Sequence, residues 1–322
     1  ENPGLRNFEA NFLRLIEKIS NGCRIEINET GTILKYQPGV IRSGTRISHD
    51  CDNERSIGYY LEGIASLAPF GKESLSVTFT GVTSNNFDVS VDIFRTVTIP
   101  HLQLFGISDV KLEIKKRGSS PNGGGIVVFS CQTVRSLTPI NLIKPGMIKR
   151  VRGLAFTTRI APTTARRVVH TCRGVLNNFI PDVWVFTDHT PAGKTQTSPG
   201  YGLSLVAEST TGCLISAEYT ASESITPEDL GTHVANLLLD ETESGGCVDT
   251  SSQSLILLLM VLCPEDVSIV RFGKLSPFTV QSIRLLKEFF GVMFQIRIDD
   301  KTQTVLLSCQ GIGFKNLARR TA

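Results

Sequence analysis

Residues 280–309 read VQSIRLLKEFFGVMFQIRIDDKTQTVLLSC, and their patterning changes once, at Gly291. Val280–Phe290 places apolar residues at helical spacing, and the glycine after it can take the left-handed conformation that ends a helix. Beyond that glycine, Phe294–Ile298 and Thr304–Cys309 read as strands around the turn Asp299-Asp300-Lys301. The stretch therefore predicts a helix followed by a β-hairpin.

Two upstream stretches share this layout. Phe8, Phe12, Leu15, Ile16 and Ile19 lie on one helical face, and Asn21-Gly22 is expected to stop that helix. The strands Arg24–Asn28 and Thr32–Tyr36 then flank the turn Glu29-Thr30-Gly31. In the second copy a helical segment ends at Phe105-Gly106, and the strands Val110–Lys116 and Ile126–Ser130 follow around a polar loop. The helix Ile57–Leu67, stopped by Pro69, and the strand Leu75–Thr80 supply the other half of this second unit. The capping glycines at 22, 106 and 291 are 84 and then 185 residues apart, so a unit of 84 leaves about 101 residues over in the second interval.

This spacing predicts three repeated units with an insertion running from near Met147 to near Asp240. The insert has its own helix Thr163–Phe179, strands Val183–Thr187, Leu203–Glu208 and Leu214–Glu218, and helix Pro227–Thr242. Pairing helices with small sheets gives an α+β (two-layer α/β) class. Residues 1–146 would hold units one and two, 147–240 the inserted α/β domain, and 241–322 unit three.

The composition of the 322 residues, 41% apolar and 20% charged, is that of a globular chain able to build a large core. Its longest apolar run, Leu255–Cys263, is nine residues closed by Pro264, whereas a spanning helix needs about twenty. Neither a membrane span nor a signal-peptide layout is expected. A net charge of +3 is too mild to mark a nucleic-acid binder, so any electrostatic footprint must be local. The eight cysteines are at least 16 residues apart, which removes zinc spacing and favours reduced, mostly buried thiols.

Among the motifs, Gly193-Lys194-Thr195 resembles the end of a phosphate-binding loop, but Asp188 stands where its first glycine belongs. Gly123-Gly124-Gly125 could present amides to an anion or simply form a flexible hairpin loop, and Lys115-Lys116-Arg117 just before it favours phosphate. Lys149, Arg150 and Arg152 form a second basic cluster where the insert departs. The five histidines show no metal spacing, and no serine lies in a nucleophile elbow.

Several of these stretches resemble RNA 3′-terminal phosphate cyclases: Asn2-Pro3-Gly4-Leu5, Gln37-Pro38-Gly39, Arg117-Gly118 with Pro121-Asn122-Gly123-Gly124-Gly125, and the ending Gly311-Ile312-Gly313-Phe314. Ser198-Pro199-Gly200-Tyr201-Gly202 through Glu208, Pro227-Glu228-Asp229-Leu230-Gly231 and Gly245-Gly246-Cys247-Val248-Asp249 are similar to the branch of that family devoted to ribosome biogenesis. The resemblance covers essentially the whole chain. It implies three βαβαββ-type units with a smaller inserted domain before the last, and a first unit whose opening part is absent here.

Family members that cyclise RNA activate a 3′-phosphate with ATP through a histidine–AMP intermediate. The resemblance puts that histidine at or next to Phe278, and no histidine follows His233. A phenyl ring cannot attack phosphorus, so the covalent step is lost. A further family pair, Gln-His, corresponds to Phe8-Glu9, and an Asp-Gln pair to Ser252-Gln253. The resemblance thus implies a non-cyclising scaffold without cofactor or metal. It would work in the nucleolus on early pre-ribosomal RNA processing for the small-subunit precursor particle, binding a GTPase assembly factor and pre-ribosomal RNA. The alternative is an endonuclease that cleaves precursor rRNA, and an active cyclase ranks last. Candidate anion or RNA contacts are Arg117, Gly123, Gly124, Gly125, Lys115, Lys116, Lys149, Arg150 and Arg152.

Overall fold

Helix α1 (Asn7–Ile19) buries Phe8, Leu15, Ile16 and Ile19 on one face, and Glu9 closes its start by accepting the Arg6 N–H at 2.8 Å. The computed structural model describes residues 3–41, 46–191, 197–222 and 224–319. The helix ends before Gly22, which is not its cap. Ser20-Asn21 leave in extended form to pair with Val40-Ile41, and Gly22, at φ +78°, turns the chain into the hairpin β1 (Arg24–Ile27) and β2 (Leu34–Gln37).

Strand β3 (Arg46–Asp50), helix α2 (Ile57–Leu67) and strand β4 (Leu75–Gly81) form a βαβ unit with the two strands parallel. Ser56 caps α2 by accepting the Gly58 N–H at 3.1 Å. A helical stretch over 91–104 follows, with a π-helical turn at Phe94–Thr98 before α3 (Ile99–Leu104). Gly106, at φ +86°, ends it as expected. Strands β5 (Val110–Lys116) and β6 (Gly125–Cys131) complete a sheet in the order β3-β4-β6-β5.

The short strand β7 (Asn141–Leu142) precedes a second α/β region. Here β8 (Ile148–Thr158), α4 (Pro162–Leu176), β9 (Val183–Thr190), β10 (Gly200–Ser209), β11 (Leu214–Thr220) and α5 (Pro227–Glu243) follow in turn. The sheet order is β9-β8-β10-β11, with β8 parallel to β9 and antiparallel to β10. The eleven-residue β8 holds the sheet together. Reading Lys149, Arg150 and Arg152 only as a charge cluster hid the strand that carries them.

The chain closes with α6 (Gln253–Val261), β12 (Val267–Phe272), α7 (Pro277–Phe290) and the hairpin β13 (Gln295–Asp299) and β14 (Thr304–Gln310). Gly291, at φ +69°, ends α7. The sheet β7-β12-β14-β13 repeats the plan of β3-β4-β6-β5: its first pair is parallel and the other two are antiparallel.

Two hydrophobic cores result. One gathers Tyr60, Phe79, Phe129, Met260, Phe272 and Leu307 from the elements before β8 and after α5. The other lies between the β9-β8-β10-β11 sheet and the helices α4 and α5, through Val151, Ala155, Val168, Leu205, Leu230 and Leu238. Truncating one such leucine to alanine costs about 2–5 kcal/mol. Seven of the eight cysteines are buried and all eight are free thiols, as the spacing suggested. The class is α+β.

Candidate functional site

The N-terminus of α7 stands over a cleft of about 290 Å³ lined by α2, α6, α7 and Val89. Ser276 caps α7 by accepting the Thr279 N–H at 3.0 Å. Beneath it lies Gln253, whose Oε1 accepts the Thr279 hydroxyl at 2.7 Å while its Nε2 donates to the Lys274 carbonyl at 2.9 Å. This buried clamp fixes the first turn of α7. Phe278 on that turn is 72% exposed, with Ser252, Ser254 and Ser282 among the other lining residues. Ser254 and Ser282 share a hydrogen bond of 3.0 Å.

A second cavity of about 280 Å³ adjoins the first, sharing Val89 and Ser251. Among the described residues the two are lined by Glu62, Asp88, Glu218 and Glu241, and by no lysine or arginine. Glu62 is exposed at the mouth, yet the protein packed around it pushes its pKa up to about 7, with Asp88 adding to the rise and Arg55 opposing it. Burial also raises Glu218 to about 7, against the Ser90 N–H that it accepts at 2.7 Å. Asp88 is held by Arg55 and by the Ser56 N–H at 2.8 Å. Asp249 accepts from the Ser216 N–H at 3.0 Å, the Ser252 N–H at 2.9 Å and the Ser251 hydroxyl at 2.9 Å.

Phe8 and Glu9 lie outside the cleft. Phe8 packs edge-on against Tyr59 at 5.5 Å with Arg55 over its ring, and Glu9 serves the α1 cap. Neither supplies an imidazole. His101 on α3 is buried, burial lowers its pKa against the pull of Asp249, and its Nδ1 has no hydrogen-bond partner among the described residues.

The other sequence candidates fall into two groups away from Phe278. Arg117, only 4% exposed, donates to Asp92 through both Nη atoms and to Asp188 through Nε at 2.6 Å, and lies over the Phe156 ring. Burial disfavours its charge, but the hydrogen bonds and charge of Asp92, then those of Asp188, outweigh it and raise its pKa. Its expected role is corrected accordingly: the guanidinium is spent on carboxylates, not offered to an anion. The glycine loop beside it is close-packed. Gly123 N–H donates to the Ser119 carbonyl at 2.9 Å, and Asn122 N–H to Ser198 Oγ at 3.0 Å. A Cβ on Gly125 would lie 2.8 Å from the Gly118 nitrogen. Gly123 and Gly125 therefore let the β5-β6 loop approach the end of β4 at Gly81, and Gly124 lies against Thr197 before β10. Lys115 faces Glu113 at 3.8 Å, and Lys116 sits half-buried.

The second group lies on β8. Lys149 is exposed at a bulge, Arg150 pairs with Glu208, and Arg152 pairs with Asp182 at 2.8 Å. Gly193-Lys194-Thr195 lies outside the described residues. Asp92, one of the carboxylates expected on the surface, is buried instead, and sequence reasoning passed over the buried Glu218 and the exposed Trp184 and Phe186 on β9. Strand alternation in 183–187 carried that last signal, with valines on the odd positions and aromatics on the even ones.

Comparisons with known proteins converge on one family. A family profile described as RNA 3′-terminal phosphate cyclase matches residues 1–296. The chain is 48% identical to the RNA 3′-terminal phosphate cyclase-like protein of Homo sapiens, over 99% of this chain and 89% of that protein. It is 44% identical to an rRNA processing protein of Schizosaccharomyces pombe, over 99% of this chain and 88% of that protein.

Proposed function

The chain belongs to the RNA 3′-terminal phosphate cyclase family, and from that premise we propose that it serves pre-ribosomal RNA processing as a binding scaffold, not as a cyclase. One observation carries this reading. At the position where the resemblance calls for an imidazole, the first turn of α7 presents the phenyl ring of Phe278 over a hydroxyl-lined cleft with Glu62 at its mouth. A phenyl ring cannot form the P–N bond that a histidine would. The similarity to an rRNA processing protein supports the pathway, in which the chain would bind pre-ribosomal RNA and a GTPase assembly factor of the small-subunit precursor in the nucleolus.

In this reading residues 147–240 are a domain inserted between the second and third of three βαβαββ-type units. Support comes from the matching order and strand directions of the two four-stranded sheets on either side, and from the separate core between β9-β8-β10-β11 and its helices.

The test is incubation with ATP labelled on its α-phosphate, alongside binding to a fragment of precursor small-subunit rRNA. Binding without a protein–AMP adduct that survives denaturing electrophoresis at alkaline pH is expected. A labelled adduct would overturn the scaffold reading. Metal-dependent cleavage of the fragment would replace it with an endonuclease.

A further inference from the structure

The β9-β8-β10-β11 sheet has two unlike faces. Val151 and Ala155 of β8 and Val183 and Val185 of β9 pack towards α4 and α5. The residues between them point the other way; on that opposite face Ser204, Ser216 and Glu218 of β10 and β11 are covered by the 84–92 segment and Asp249, and one end of the β8-β9 part is covered as well. There Phe156 is buried beneath Arg117, and Asp188 accepts from the same guanidinium. At the other end Trp184 and Phe186 stand 54% and 55% exposed, their ring centroids 6.1 Å apart in an edge-to-face arrangement. Trp184 is the only tryptophan in the chain. Nothing among the described residues requires the two largest side chains of β9 to face water.

Their neighbours are cationic. In the parallel register Arg152 lies directly across from Trp184, and Leu154 across from Phe186. Arg150 follows two residues before Arg152 on the same face, and the bulge between Ile148 and Arg150 leaves Lys149 exposed beside it. Arg150 and Arg152 are paired with Glu208 and Asp182, but partly exposed pairs of this kind are weak, and a phosphate can take the carboxylate's place. Every base has a π-face, so exposed aromatics on a sheet, spaced two residues apart and bordered by guanidinium groups, suit successive unpaired bases and their phosphates.

We propose that the open β9-β8 part of this face of the sheet is a stacking platform for single-stranded RNA, with Trp184 and Phe186 taking bases and Lys149, Arg150 and Arg152 meeting the phosphates beside them. The inference rests on the RNA-binding part of the proposed function and names the site and the single-stranded form of the ligand.

The sole tryptophan supplies a direct readout. The purified full chain is titrated with a fluorescein-labelled single-stranded RNA of mixed sequence, with its duplex form, and with an abasic oligonucleotide of equal length. Tryptophan emission should be quenched by the single strand and scarcely by the other two. By anisotropy, Trp184→Ala/Phe186→Ala should bind the single strand about tenfold more weakly, with little change for the abasic strand, whereas Trp184→Phe should stay near wild type. Circular dichroism of each variant checks folding. If the wild type binds RNA but emission and the affinity of the double variant do not change, the platform is overturned while the RNA reading survives. If the wild type binds no RNA, both fall. Loss of GTPase binding with unchanged RNA affinity would make the face a protein-docking surface and also overturn the inference.

Discussion

Arg117 grips Asp92 through two hydrogen bonds, 2.6 Å from Nη1 to Oδ2 and 2.9 Å from Nη2 to Oδ1, with both side chains almost wholly buried. The same guanidinium reaches Asp188 on β9, so a single side chain joins the helical stretch over 91–104, the end of β5 and the β9-β8-β10-β11 sheet. Removing one partner of such a pair leaves the other charge buried without compensation. Arg117→Met should therefore lower stability by about 3–5 kcal/mol, read from the urea midpoint. Asp188→Asn, at a half-exposed position, should cost less than about 1 kcal/mol. Equal, small losses in the two variants would show that the pair is not a structural linchpin.

The clamp under α7 makes a second prediction. Gln253 bonds at once to the hydroxyl of Thr279 and the carbonyl of Lys274. Gln253→Leu removes both bonds; Thr279 keeps its 2.8 Å hydrogen bond to Ser276 Oγ and Lys274 is exposed, so the cost is about 0.5–1.5 kcal/mol per bond lost. Phe278→His, by contrast, changes an exposed side chain and should leave stability within about 0.5 kcal/mol. That variant should still form no protein–AMP adduct, because Phe8-Glu9 and Ser252-Gln253 still replace the family's polar groups. An adduct on Phe278→His alone would show that the remaining machinery is intact.

Elements with strong local signals were legible in the sequence. The apolar spacing of 280–290 and the glycine after it fixed α7, and the Asp299-Asp300-Lys301 turn fixed the hairpin beyond. Where the signal was tertiary, reading failed. Gly22 looked like a helix cap because Asn21-Gly22 fits one, but pairing of Ser20-Asn21 with Val40-Ile41 drew the chain out of the helix first. Arg117 looked like a phosphate ligand because its acidic partners are 25 and 71 residues away in sequence. Phe278 could be singled out by resemblance, whereas the hydroxyls and carboxylates around it and in the adjoining cavity come from segments that only the fold assembles.

His49 supplies a pH dependence. Its Nε2 is 2.6 Å from Asn11 Oδ1 and its Nδ1 is 3.5 Å from Lys18 Nζ. Burial, helped by the Lys18 charge and opposed by Asp50, lowers its pKa to about 4. Unfolded, the imidazole titrates near 6.5, so between about pH 6.5 and 4 the unfolded chain binds more protons. The contribution is complete above the unfolded value and is lost as pH falls, amounting to about 2 kcal/mol between pH 7 and 5. The fall in stability over that interval, measured by urea denaturation, should be smaller by about this amount in His49→Gln. An identical fall in the two proteins would assign it to other groups.

The basic residues of β8 separate the two proposed kinds of partner. Lys149 is exposed, Arg150 and Arg152 border the aromatic pair, and the net charge of +3 leaves little long-range attraction to add to them. Each phosphate neutralised on a single strand contributes about −0.7 to the log–log dependence of affinity on salt. Replacing Lys149, Arg150 and Arg152 together by glutamine should thus make the salt slope shallower by about 2 for single-stranded RNA, provided that each meets one phosphate. A protein partner relies more on a few buried anchors, so its affinity should vary less with salt and change little in the triple variant. Glu208 and Asp182 lose their partners in that variant, but both pairs meet solvent and contribute little to stability. Fluorescence anisotropy across a salt series, run separately with RNA and with the GTPase, measures both slopes. If binding to the GTPase collapses while the RNA slope stays put, these cations belong to the protein interface, and the phosphates of the RNA must be met elsewhere on the chain.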